Sequence, residues 1–139
     1  MQQKDYLLRE IEKIGLLLKM IFNKIAGKEE SYALKAENQF EEEKELLLHE
    51  TGFNIDLFLL IEESGIEHYI SGFDGIRGSN IELLADILKA MGEKSDSAKT
   101  KEYLKRALKL YELCNSLDKT FSFDRENKIN EIKSTLKQL

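Results

Sequence analysis

Few residues in this sequence have side chains suited to chemistry, and their spacing limits what each could do. His49 and His68 are the only histidines, and with Glu50 or Glu67 they are the one set from which a metal site could be assembled. Neither histidine has a metal-ligating partner at i+3 or i+4, where one face of a helix would present two ligands, and His49-Glu50 is not followed by the second histidine of a zinc-protease helix. No metal ligands are expected. The single cysteine, Cys114, excludes an intramolecular disulfide and suits a reducing cytoplasm. It falls on an apolar helix face, where a thiol behaves as a small hydrophobe with a raised pKa rather than as a nucleophile. Carboxylate pairs such as Glu62-Glu63, or Asp74 with Asp86, come with an acidic composition and converge on no cleft that the sequence reveals. The expectation is a protein with no catalytic residues and no cofactor.

The stretch SGFDGIRGSNIELL, from Ser71 to Leu84, spaces Gly72, Gly75 and Gly78 evenly. A phosphate-binding loop needs a strand before it and G-K-[ST] opening the helix behind it, so that amides, lysine and helix dipole meet on one anion. Here no strand-like run precedes Gly72, no lysine follows Gly78, and Asp74 would repel phosphate. Ser79-Asn80-Ile81-Glu82 fits a capping box, so the loop reads as a stop for one helix and a start for the next. Arg77 beside that helix start leaves a minor anion site as the functional alternative.

A second feature is the ridge Lys101, Lys105, Lys109, placed at i, i+4 and i+8 on one helix beside Lys99 and Arg106. Such a ridge is either a solvated face or a surface for nucleic acid or an anionic membrane surface. The acidic total, the absence of tryptophan and the lack of aromatic residues interleaved with the lysines weigh against nucleic acid. The residues expected to meet a partner are therefore Lys101, Tyr103, Lys105 and Lys109 on this helix, with Arg77 before another.

These residues have to be positioned by helices. In 139 residues, 42% are hydrophobic and 34% charged, with no proline, tryptophan or valine. Straight-chain side chains of this kind lose little rotamer freedom in a helix, and strand formers are scarce. The formal charge is −5, distributed as +3 over 1–28, −6 over 29–50, −6 over 51–96 and +4 over 97–139. Basic ends packing over an acidic middle would neutralise part of the molecule's own field. Lys13, Lys19 and Lys24 interrupt the apolar run near the N-terminus, so no uncharged span of about 20 residues exists to cross a bilayer. A soluble, cytoplasmic protein is expected.

Leu7, Ile11, Ile14, Leu18, Ile21 and Ile25 recur at steps of four and three after Asp5, a candidate N-cap, and predict a helix ending near Gly27. Leu8, Leu16, Leu17, Met20 and Phe22 extend its apolar surface beyond one stripe, which favours cover by the domain or by a second copy. Gly15 in its middle implies close approach of another backbone. A second helix is expected over 29–50, with Tyr32, Ala36, Phe40, Glu43 and Leu47 on one face, giving an N-terminal hairpin over about 5–50. Gly52 caps its end, Asn54 starts the next, and the apolar run from Ile55 to Ile61 promises the most buried segment, with short helices and the glycine loop filling 54–78. Ile81, Leu84, Ala85, Leu88 and Met91 mark a helix closing at Gly92. Tyr103, Ala107, Leu110, Tyr111, Cys114 and Leu117 mark another, and the two form an antiparallel hairpin over 79–118. A last helix spans 122–138, with Ile129, Ile132, Leu136 and Leu139 at helical spacing. The whole predicts one all-α domain of five to seven helices.

Within the hairpin, Leu88, Met91 and Gly92 followed by Ala107-x3-Tyr111-x2-Cys114 resemble one degenerate tetratricopeptide (TPR) repeat, a pattern in which small residues let paired helices approach closely. The stretch between Gly92 and Ala107 is longer than that pattern, and the closing proline is missing. The resemblance covers about 35 residues and implies a TPR-like, right-handed array of antiparallel hairpins that binds protein partners. In layout the chain, opening with Asp5-Tyr6-Leu7-Leu8-Arg9 and Ile11-Glu12, also resembles small bacterial all-helical proteins for which no activity follows. The functional expectation is a non-enzymatic protein-protein interaction or structural module, with self-association as one form of it. The alternative is nucleic-acid or anionic-surface binding through the basic C-terminal helices.

Overall fold

The structure, a computed structural model, describes residues 2–27 and 39–139. Among them are seven α-helices and no strand: α1 (Gln2–Ala26), α2 (Glu41–Thr51), α3 (Ile55–Leu60), α4 (Ile66–Ser71), α5 (Ser79–Glu93), α6 (Ser97–Asp118) and α7 (Phe123–Lys137), with a 3-10 turn at Glu63–Gly65. None of the described helices is long and apolar enough to cross a membrane.

The apolar periodicities become packed faces. Ile14, Leu18, Ile21 and Ile25 of α1 are buried against α5, which in turn buries Ile81, Leu84, Ala85, Leu88 and Met91. Burial of such aliphatic side chains contributes about 1.5–3 kcal/mol each before the entropy of ordering them is subtracted. α5 is the central element, and its neighbours' directions follow from pairs along it. Asn80 meets Ile11 and Lys94 reaches the Ala26 carbonyl, so α1 runs parallel to α5. Gly92 lies against Leu104 while Asp86 meets Tyr111, so α6 runs antiparallel. A Cβ at Gly92 would stand 3.0 Å from Leu104 and 3.1 Å from Tyr103, which accounts for a glycine at this close approach. α7 pairs Arg125 with Glu82 and Glu131 with Lys89, and so lies parallel to α5 and antiparallel to α6.

Helix ends follow the sequence in several places. Gly52 closes α2 at φ 83° with its N–H donated to Leu48 O at 2.8 Å. The Asn54 side chain accepts from Leu57 N at 3.0 Å, Asp96 from Lys99 N at 3.3 Å, and Ser122 from Arg125 N at 3.2 Å.

Other expectations are corrected. Asp5 does not cap α1, which already begins at Gln2 and so places Asp5 in its first turn. Of the expected helix over 29–50, the described part is α2 from Glu41, and it does not continue back through Phe40, which takes a left-handed conformation at φ 64°; 29–38 lie outside the described residues. Phe40, Glu43 and Leu47 are buried as their spacing implies, and Tyr32 and Ala36 lie outside the described residues. The run Ile55 to Ile61 is not the most buried segment: Ile55 and Phe58 are buried, but Leu57 and Leu60 face solvent, since a short helix on the surface can bury only one side. Ser79 and Glu82 make no capping box. No side chain caps α5, and the Glu82 carboxylate is taken by Arg125 and Lys128. The neighbour that requires Gly15 is the Asn80 side chain, not a backbone.

At one end of the fold, Phe53, Phe58, Tyr69 and Phe73 pack ring against ring, with centroids 5.1 Å apart for Phe53–Phe58 and 5.2 Å for Phe53–Phe73. This cluster holds the short helices α3 and α4 in place, as edge-on and tilted aromatic contacts do.

Candidate interaction surface

The basic ridge is only partly free. Lys101 and Lys105 are exposed on α6, and no ion pair to either occurs among the described residues. Lys109 lies 3.7 Å from Glu63, and Lys99 lies 3.5 Å from Glu102. Arg106 turns inward: its Nη2 donates to the carbonyls of Ile61 and Leu59, closing the end of α3, and its guanidinium carbon sits 6.0 Å from the Phe58 ring centroid.

Two of the residues expected to meet a partner do not belong to this surface. Tyr103 is buried, with Lys44 Nζ 5.7 Å from its ring centroid. It cannot touch a partner while α6 keeps its packing, because it shares the face of Ala107 and Leu110 that meets α5. Burial opposes a charge on Lys44, but Tyr103 and Asp56, 2.9 Å away, outweigh it and hold the amine above its ordinary pKa. Arg77 precedes the start of α5, at the opposite end of the antiparallel hairpin from Lys101, and stands 3.5 Å from Asp74. The structure therefore brings Lys101, Lys105 and Lys109 together and leaves Tyr103 and Arg77 apart from them. His49 lies on α2 and His68 on α4, and among the described residues no group of three His, Cys, Asp or Glu side chains could hold a metal.

Sequence reasoning missed a charged network between α5, α6 and α7. The buried Arg125 sends Nε to Glu82 at 2.8 Å, Nη1 to Asn115 at 2.9 Å and Nη2 to Asp118 at 2.8 Å. Lys128 bridges Asp86 at 2.9 Å, Glu82 at 3.2 Å and Asp124 at 3.2 Å. The Tyr111 hydroxyl donates to Asp86, and Lys89 joins Glu93 at 2.6 Å and Glu131 at 2.8 Å. The sequence did hold a signal for it: Arg125 precedes Ile129 by four and Ile132 by seven, so it sits on the buried face of α7 and needs partners there.

The pKa values of this network move away from neutrality. Burial and the Asp86 carboxylate raise Tyr111. Burial pushes the Cys114 thiol from 9.0 up to about 11, against the opposing charge of Arg125. Lys128 is raised because Asp86, Asp124 and Glu82 outweigh the effect of its burial. Tyr111, Cys114 and Lys128 all keep their protons at pH 7. The cleft of about 470 Å³ between α1, α5 and α7, with Phe22 and Ala26 on one wall, is rimmed by Asp86, Lys89, Glu93 and Lys128, which already neutralise one another.

Large apolar side chains are exposed as well. Leu60 is 81% exposed, Phe123 79%, Leu16 70% and Phe121 68%, and Leu57, Met20 and Leu117 are exposed too. Compared with known protein families, with curated proteins and with solved structures, the chain matches none of them.

Proposed function

We propose that this chain is a non-enzymatic interaction module, which works by presenting exposed apolar side chains on a rigid helical frame to a protein partner or to a second copy of itself. The observation that carries this reading is the exposure of Leu16, Leu60, Phe121 and Phe123, large apolar side chains in water on a molecule whose cleft between α1, α5 and α7 is rimmed by charges already committed to one another. Scattered exposed leucines are ordinary. Two aromatic rings 4.8 Å apart and both in solvent are less so.

Support for a TPR-like arrangement comes from the glycine contact of α5 with α6 and from the parallel run of α1 beside α5, the relation that successive first helices have in stacked hairpins. The lone buried cysteine accords with a reducing, cytoplasmic setting.

Affinity capture from native lysate, together with sedimentation at several concentrations, tests the reading. Wild type is expected to retain a specific protein or to self-associate, and Leu16→Ser with Leu60→Ser or Phe121→Ser is expected to lose it. Identical capture by wild type and every variant, with a sedimentation coefficient independent of concentration, would overturn it.

The exposed Lys101 and Lys105 favour a second reading, binding of nucleic acid or an anionic surface along α6. Counterion release makes such contacts strongest at low salt. Absence of binding to single- and double-stranded nucleic acid and to anionic vesicles at about 50 mM salt removes it.

A further inference from the structure

The geometry points to α7 as an exchangeable element: two copies of this chain trade their α7 helices, and α6 and α7 of each copy then run on as one helix through 119–122. This deepens the self-contact form of the function proposed above.

Four observations converge on it. The chain from residue 93 to its end contains neither glycine nor proline, and the one mark of a new start between α6 and α7 is Ser122, which accepts from Arg125 N at 3.2 Å. The break is made by Lys119 at φ 57° and ψ 14°, the left-handed conformation that helix ends normally assign to glycine and that disfavours a side chain with a Cβ. Side-chain bonds hold the turn: Thr120 N donates to Asp118 Oδ1 at 3.1 Å, Arg125 N to Ser122 Oγ at 3.2 Å and Arg125 Nη2 to Asp118 Oδ2 at 2.8 Å. A non-glycine residue in this conformation relaxes if the turn becomes helical.

The apolar rhythm of α6 runs past the point where the helix ends. Tyr103, Ala107, Leu110, Cys114, Leu117 and Phe121 follow steps of four and three, so the helical pattern reaches three residues beyond Asp118, the last residue of α6.

Much of the seat of α7 lies on α5, away from the turn. Arg125, Lys128 and Glu131 reach Glu82, Asp86 and Lys89, while Ile129 and Ile132 are buried. Every one of these contacts could be made by the α7 of a second copy, so basic α7 residues meet acidic α5 residues equally well within or between chains. Finally, Leu117, Phe121 and Phe123 are all exposed at the turn of a single copy. Exchange brings two straightened turns side by side across a two-fold axis, and the apolar side chains there gain a cover.

Charge exchange tests this directly. In Arg125→Glu and in Glu82→Arg, each chain's own α7 faces like charge at its seat. After mixing, the exchanged heterodimer restores an opposite pair at both seats. Neither variant alone is expected to dimerise, and the mixture, warmed mildly and cooled, is expected to yield a heterodimer by light scattering on a sizing column. A mixture that stays as two monomers overturns the proposal. If either variant fails to fold, the wild-type dimer decides. Lys119→Gly, which favours the turn and disfavours the helix at both hinges, is expected to raise its dissociation constant tenfold or more. A dimer weakened by Phe121→Ser but unchanged by Lys119→Gly is a plain surface contact, which overturns exchange and leaves the interaction module standing. A wild type that is monomeric at every concentration overturns self-association in both forms.

Discussion

Asn80 fills the space that a side chain at position 15 would need: a Cβ on Gly15 would stand 2.9 Å from Asn80 Oδ1. The asparagine cannot step aside at low cost, because its Nδ2 donates to Ile11 O at 2.8 Å and to Gly75 O at 2.7 Å, tying α1 to the loop before α5. Gly15→Ala should therefore forgo the gain of about 1 kcal/mol that alanine brings to a helix interior and lower stability instead. Asn80→Ala removes both of these bonds between α1 and the loop and is expected to cost about 1–3 kcal/mol. Urea denaturation of both single variants and of the double variant checks the relation. Once Asn80 is removed, Gly15→Ala should become neutral or stabilising, and strict additivity of the two losses would contradict the contact.

Gly75 is the harder case on the other side of the same junction. Its Cβ would come within 2.3 Å of Ile14 Cγ1, and Ile14 is a buried, β-branched side chain of α1 with little freedom to turn. Gly75→Ala should destabilise by more than Gly15→Ala. Equal urea midpoints for Gly75→Ala and wild type would show that the loop yields where the packing says it does not.

Arg125 joins three elements through one guanidinium, and its planar fork matches the three acceptors it meets on Glu82, Asn115 and Asp118. Arg125→Ala leaves Glu82 partly buried with only Lys128 and should cost about 3 kcal/mol. Arg125→Lys keeps the charge but cannot reach all three acceptors, and a loss of about 1–2 kcal/mol is expected. Denaturation followed by circular dichroism distinguishes the two, and an alanine variant as stable as wild type would mean that α7 is held by Ile129, Ile132 and the Lys128 and Glu131 pairs without help from Arg125.

The helices were legible in the sequence because periodicity reports which side of a helix is buried, and little else decides a helix. Leu18, Ile21, Leu84 and Leu88 follow that rule. Tyr103 shows the same rule disregarded: its spacing with Ala107 and Leu110 already placed it in the core, where no partner can meet it. Leu60 was misread for the opposite reason, since an unbroken apolar run carries no phase. The Arg125 network was hidden because a carboxylate three positions into a helix fits a capping box as well as a clamp, and only the approach of α7 decides between them.

The pH dependence follows from which state holds its protons more tightly. Burial keeps the Cys114 thiol protonated up to about 11, whereas the unfolded chain releases that proton near 9.0. Tyr111 and Lys128 are raised in the same direction. The stability from these groups is fully present below about pH 9 and is lost as pH rises, the Cys114 share disappearing by about 11. On the acid side the Arg125 guanidinium holds Asp118 below its ordinary 3.8, so its share is present above that value and is lost as pH falls beneath it. Urea midpoints should be level from pH 6 to 8 and fall between 9 and 11, with a shallower fall in Cys114→Ala. A midpoint that rises through that range would reverse the sign of the account.

Lys105 and Arg106 are neighbours in sequence with opposite surroundings, and their replacement should separate charge from structure. Lys105 is exposed with no ion pair among the described residues, so Lys105→Glu is expected to change stability by no more than about 0.5 kcal/mol. Arg106 supplies the donor for the Ile61 and Leu59 carbonyls and lies over Phe58, so Arg106→Ala should cost about 1–2 kcal/mol and loosen α3. Hydrogen exchange at the amides of Phe58 and Ile61, which bond within this turn to Asn54 O at 2.9 Å and Leu57 O at 3.2 Å, reads that loosening directly. Faster exchange there in Arg106→Ala alone places the arginine among the supports of the fold, and leaves Lys101 and Lys105 as the part of the ridge able to meet an anionic partner. Equal exchange in both variants would return Arg106 to the ridge.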